Sequence, residues 1–119
     1  MTKDVEDLRS RTKKYALNII RLYKVLPKNR EEVRIIGRQF LRSGTSVAAN
    51  YREASRARSR AEFISKIEIC AQEADETQLW MELLSEGCEF KHELVDSIWQ
   101  ESDELISIFV TMAKNTKTR

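Results

Sequence analysis

One proline and three glycines are all that punctuate 119 residues. A chain so poor in turn residues cannot make the many reversals of a sandwich or barrel, and it is equally unlike a flexible linker. It can make a few long helices. Apolar residues supply 41% of the sequence, enough to give such helices a common core. They recur at spacings of three and four, the helical period. No apolar run approaches the roughly 18 residues of a membrane span, and charges interrupt every helix-length window, so no membrane partner is expected. The opening Met-Thr-Lys-Asp-Val-Glu-Asp carries no apolar export core. Together with only two cysteines, that predicts a reducing, cytoplasmic setting.

Three signals divide the chain. Pro27 follows Val25-Leu26 and removes a backbone donor, which ends a first helix. Ser59-Arg60-Ala61-Glu62 has the spacing of a capping box ahead of Phe63-Ile64. Gly87 follows Leu83-Leu84-Ser85-Glu86 as a helix stop. In the first segment, from about Val5 to Leu26, Val5, Leu8, Tyr15, Ile19, Leu22, Tyr23 and Leu26 share one arc. In the second, from about Arg30 to Arg58, Val33, Ile36, Phe40, Val47, Tyr51 and Ala54 share a face flanked by Gly37, Gly44 and Ala48. A glycine inside a helix costs about 1 kcal/mol relative to alanine. Two on the inward flank predict close approach of a neighbouring backbone; the alternative is a bend at Arg42-Ser43-Gly44-Thr45.

The third segment, Arg60 to Glu86, carries a narrow seam of Phe63, Ile67, Cys70, Ala74, Thr77, Met81 and Leu84. The fourth, about Lys91 to Ala113, turns Leu94, Val95, Ile98, Trp99, Leu105, Ile106, Phe109 and Met112 inward. The expected fold is all-α: one domain over residues 1–119, an antiparallel up-and-down four-helix bundle with the second and third helices as its central hairpin. Frayed tails are expected at about residues 1–4 and 115–119.

No residue set stands out as a catalytic centre. The single histidine, His92, lies beside Glu89 and Glu93 on an acidic stretch and is read as a solvated surface residue. The inward Glu and Glu-x-x-His pattern of a di-iron bundle is missing. Cys70 falls on the third seam as a small core residue, and Cys88 is expected in an exposed turn; neither belongs to a Cys-x-x-Cys pair that would hold zinc. There is no glycine-rich phosphate loop and no nucleophile motif. The expectation is a non-enzyme without cofactor or metal.

Charge says more. Residues 1–60 carry 16 basic and 6 acidic side chains, and residues 61–104 carry 2 basic and 13 acidic. The overall net of +2 conceals two oppositely charged halves. Arg34, Arg38, Arg42, Arg52 and Arg56 fall within an arc of roughly 80° on a straight helix. Arg58 and Arg60 extend the charge beyond its end. Such a ridge suits the phosphates of RNA or DNA. It suits equally the acidic third and fourth helices, within one chain or between subunits. No aromatic-interleaved basic motif accompanies it. Ile69, Trp80 and Leu83 form a second apolar side on the third helix, covered either inside the bundle or at an oligomer interface.

Two stretches resemble a bacterial family. They are Ser46-Val47-Ala48-Ala49-Asn50-Tyr51-Arg52-Glu53-Ala54 and Arg58-Ser59-Arg60-Ala61-Glu62-Phe63. The family is the four-helix bundle proteins, also called 23S rRNA intervening-sequence proteins, whose members show Ser-x-x-x-Asn-x-x-Glu followed by Ser-x-x-Glu-Phe. Those positions here are Ser46, Asn50, Glu53, Ser59, Glu62 and Phe63. The run from Glu73 to Leu84 also looks like the family's third helix, and the common Asn-Ile-Ala-Glu-Gly reads Asn-Tyr-Arg-Glu-Ala here. The resemblance implies a bundle that assembles as a homopentamer, with no established enzymatic activity. It implies two kinds of partner besides the chain itself: nucleic acid, and a protein such as the reverse transcriptase served by a related pentameric accessory protein. Asn50 and Glu53 would then bond to a neighbouring helix or subunit.

Overall fold

The structure, a computed structural model, describes residues 2–119, with side chains from Leu8 onward. The Val5 side chain, expected on the first arc, therefore lies outside the described ones. Helix α1 spans Thr2–Val25, α2 Glu31–Ser55, α3 Arg60–Glu82 and α4 Leu94–Lys117. A π-helical turn, Leu83–Gly87, extends α3. The bundle measures 49 × 22 × 19 Å.

Cross-helix pairs give the direction of each helix. Gly44 lies against Ile19 and Gly37 against Leu26, so α1 and α2 run antiparallel. Ser43 meets Thr77 and Glu53 meets Lys66, so α2 and α3 do the same. Gln78 reaches Asp103 while Glu68 meets Lys117, which reverses α4 on α3. The expected up-and-down bundle follows, and its core holds Tyr15, Ile19, Leu22, Phe40, Val47, Ile67, Met81, Leu105 and Phe109. Helix α2 runs unbroken through Arg42-Ser43-Gly44-Thr45. Its glycines are there for contact: a Cβ on Gly44 would stand 2.6 Å from Ile19 Cγ1.

Each helix contributes one hydroxyl to a buried layer. Tyr15 and Ser102 join α1 to α4 at 2.6 Å, and Ser43 and Thr77 join α2 to α3 at 2.7 Å. Ser102 donates its proton to the Ile98 carbonyl and Thr77 to that of Glu73, leaving Tyr15 and Ser43 as donors to them.

Helix ends follow local chemistry. Ser59 Oγ accepts from the Glu62 amide at 3.0 Å. Glu62 reaches back to the amide of Arg58 rather than that of Ser59, a capping box displaced by one residue. At the other end of α3 the helical run stops at Gly87, as expected, through a wider π-helical turn. The left-handed residue of the reversal is Glu89, with φ 59°, not the glycine. Cys88, expected to be exposed, is therefore drawn inward to 3% exposure, with its amide bonded to the Leu83 carbonyl. Helix α4 starts at Leu94, whose amide donates to His92 Nδ1, and continues to Lys117.

The two α2 glycines should respond differently to alanine. At Gly44 three Ile19 side-chain atoms lie within 2.9 Å of the new Cβ, including both branches at its β-carbon. Overpacking of about 1–3 kcal/mol should exceed the roughly 1 kcal/mol gained in helix propensity. At Gly37 only the tip of Leu26 is close, at 2.9 Å, and can rotate away. Urea unfolding should show Gly44→Ala destabilised and Gly37→Ala unchanged or stabilised. Ser59→Ala should lose about 1 kcal/mol with its cap.

Candidate nucleic-acid interface

The inward residues of α2, from Val33 to Ala54, put the arginine series on the opposite, outer side of the helix. The seven arginines then diverge. Arg42 spans to α3, with Nη1 3.2 Å from Glu73 and Nη2 3.0 Å from Glu76. Arg34 donates to the Lys28 carbonyl and Arg60 to that of Arg119. The guanidinium groups of Arg38, Arg52, Arg56 and Arg58 bond to no other described residue. Arg52, Arg56 and Arg58 line a cleft of about 350 Å³ at the α2–α3 corner, together with Glu53, Glu62 and Lys66. Lys66 is 2.6 Å from Glu53, whose carboxylate raises the ammonium above its ordinary value.

Three of the four free guanidinium groups, those of Arg52, Arg56 and Arg58, thus gather at one end of the bundle, while Arg38 lies near the start of α2. Arg60 holds the last carbonyl of the chain, and Lys117 pairs with Glu68 of α3 at 2.6 Å. Lys114, Lys117 and Arg119 consequently join the same basic pole. They are absent from the sequence-derived ridge because nothing local says that the end of α4 returns to the end of α2.

The motif residues divide between local and long-range work. Asn50 Nδ2 donates to the Ser46 carbonyl and to Ser46 Oγ, both at 2.9 Å, within its own helix. Glu53 reaches the neighbouring helix through Lys66. Phe63 is half-buried against the core.

On the second apolar side of α3, Ile69 is half-buried and Leu83 is 38% exposed. Trp80 packs part of its ring on the core, but its Nε1 is shielded from solvent without a hydrogen-bond partner among the described residues. Leu79 and Ile35 add to the exposed apolar surface, at 46% and 52%. Neither was singled out in the sequence, because each lies off the inward face of its helix.

No group of three potential metal ligands forms among the described residues. His92 stacks on Phe90 and accepts the α4 amide, which occupies its Nδ1. Cys70 is fully buried, its thiol pushed up to about 12 by burial. At neutral pH it is neither nucleophile nor ligand. Among the described residues no helix is long and apolar enough to cross a membrane.

A four-helix bundle with a basic pole, an inert buried thiol and an outward apolar strip is the class of protein these features define. The chain belongs to the family described as 23S rRNA-intervening sequence protein, which it matches over residues 7–111. It is similar to a crystal structure of a protein of unknown function from the S23 ribosomal protein family of Bacteroides thetaiotaomicron. The two share 38% identity at a TM-score of 0.81, over 90% of this chain and 98% of the other. No curated protein matches the chain.

Two buried acids predict the alkaline behaviour. Burial pushes the Tyr15 phenol up to about 12, against the opposing hydrogen bond with Ser102, and Cys70 rises likewise. Both groups hold protons that the unfolded chain releases near pH 10 and pH 9. Their contribution is complete below those values and is lost as pH climbs toward 12. Each should remove about 1.4 kcal/mol per pH unit within its window. Urea midpoints measured from pH 8 to pH 11 should fall, and Tyr15→Phe should flatten the part above pH 10.

Proposed function

We propose that this chain is a non-enzymatic, homo-oligomeric bundle that binds the phosphate backbone of nucleic acid through its outward arginines. The observation that carries the reading is the state of Arg38, Arg52, Arg56 and Arg58: charged, on the outside, and unbonded among the described residues. Guanidinium groups kept free of internal partners remain available for bidentate phosphate contacts. A family tied by name to 23S rRNA intervening sequences is compatible with that chemistry. Several copies would multiply a modest patch into a large one, so weak contacts would add through avidity.

Self-assembly rests on the strip formed by Ile35, Leu79, Trp80 and Leu83. A neighbouring copy would cover the apolar side chains that stay exposed there, Ile35, Leu79 and Leu83. The family resemblance implies a pentamer. Leu83→Glu, at a site exposed in the single chain, should dissociate the oligomer in light scattering while leaving the helical signal intact. A wild-type monomer at micromolar concentration would refute assembly. Trp80→Glu should in addition lower folding stability, since part of that ring belongs to the core.

A second reading is a structural or protein-interaction module whose arginines pair internally, as Arg42 does with Glu73 and Glu76. Titration of labelled RNA and DNA at two salt concentrations separates the two. Phosphate binding should weaken steeply with salt and depend little on sequence. Arg38→Glu with Arg52→Glu should lower affinity at least tenfold in an intact oligomer. Equal binding by that variant would remove the ridge from the interface. Wild type that binds neither polymer at low salt would favour the module.

A further inference from the structure

The basic pole carries a feature that phosphate binding does not explain. Between α3 and the last turns of α4 lies an open slot of about 450 Å³. Phe109 and Ala113, both buried, form its floor. Val110, 54% exposed, forms a wall, and Lys114 and Lys117 stand at the edge. Lys117 is paired with Glu68, whereas Lys114 bonds to no other described residue. The slot adjoins the arginine corner, because Arg60 donates to the Arg119 carbonyl at 2.9 Å, just beyond Thr118 of the slot. On the α3 cylinder it opens from the side of Glu68 and Ala71, away from Ile69 and Trp80.

We infer that this slot receives one unstacked nucleobase of a single-stranded nucleic acid, with Lys114 and Lys117 holding the attached phosphate. The inference rests on the phosphate-binding reading above for the remainder of the strand. The apolar side chains that reach the slot, Val110 above all with Ala71 and Ala113, accept the face of a base without regard to its identity. Ammonium groups at the edge of that floor are placed for the phosphate a base carries with it. The Glu68 carboxylate accepts from an exocyclic amino group. Continuity with Arg60 and Arg58 lets the neighbouring phosphates follow the chain from the slot to the corner. A duplex keeps its bases stacked and paired and cannot fill the slot, so the bound form is single-stranded or looped. An alkyl carboxylate would need an enclosed tunnel for its tail, and this slot is open.

The test uses the full chain, isotope-labelled, titrated with adenosine monophosphate and followed by amide chemical shifts. Shifts should concentrate between Val110 and Lys117. Val110→Glu, a change at an exposed position, should abolish them. Lys114→Gln should weaken the monophosphate several-fold and leave adenosine itself unaffected. A 12-nucleotide single strand should bind at least tenfold tighter than the matched duplex, and Val110→Glu should erase that preference while sparing duplex binding. The inference is overturned if the monophosphate moves no slot amide, if dodecanoate alone moves them, or if single strand and duplex bind alike. Monophosphate shifts with neither polymer bound would instead defeat the arginine reading, and single-strand presentation with it.

Discussion

A slip of one turn along any helix of this bundle would exchange one set of apolar contacts for another, but it would also strand buried hydroxyls. Tyr15 and Ser43 find their acceptors, Ser102 and Thr77, only in the observed register. Each left unpaired would cost about 1–3 kcal/mol. The contact of Gly44 with Ile19 adds a steric constraint at the same level of the bundle. An apolar seam alone tolerates several alignments; a seam with one polar layer and one close approach selects among them.

The charges depend on that register. Because Ser43 sits opposite Thr77, its neighbour Arg42 lands opposite Glu73 and Glu76 and is taken out of the free ridge. Glu53 and Lys66 close the α2–α3 pair further along, and Arg11 ties α1 to Glu101 and Glu104 of α4. The opposite charges of the two halves are thus partly cancelled within the chain, and Arg52, Arg56 and Arg58 remain free where α2 ends and α3 begins. These half-exposed pairs contribute little stability individually, about 0–1 kcal/mol each. Their larger consequence is to decide which arginines remain available.

The outer surface of α3 has two unlike sides. One carries half-buried Trp80 and exposed Leu83, beside a shielded indole N–H without a partner among the described residues. The other faces α4 and the lysines beyond it. A helix buried in a monomeric bundle needs one apolar stripe, and α3 has more than one. That surplus separates a surface suited to another copy from one suited to an anionic ligand.

The sequence by itself determined the four helices, their limits near Pro27 and Ser59, the inward faces and the burial of Cys70. These follow from short-range periodicity and capping, which neighbouring residues fix. It also supplied the motif residues that place the chain in its family. The hydroxyl layer was not legible, because Ser43 and Ser102 read as ordinary polar residues until a partner 34 or 87 positions away meets them. The burial of Cys88 depended on a π-helical turn that no residue pattern announced. The straight arginine ridge became a pole at one end for the same reason. Angular position on a helix is local, but whether a charge is paired depends on the register of another helix, and only the tertiary structure decides that.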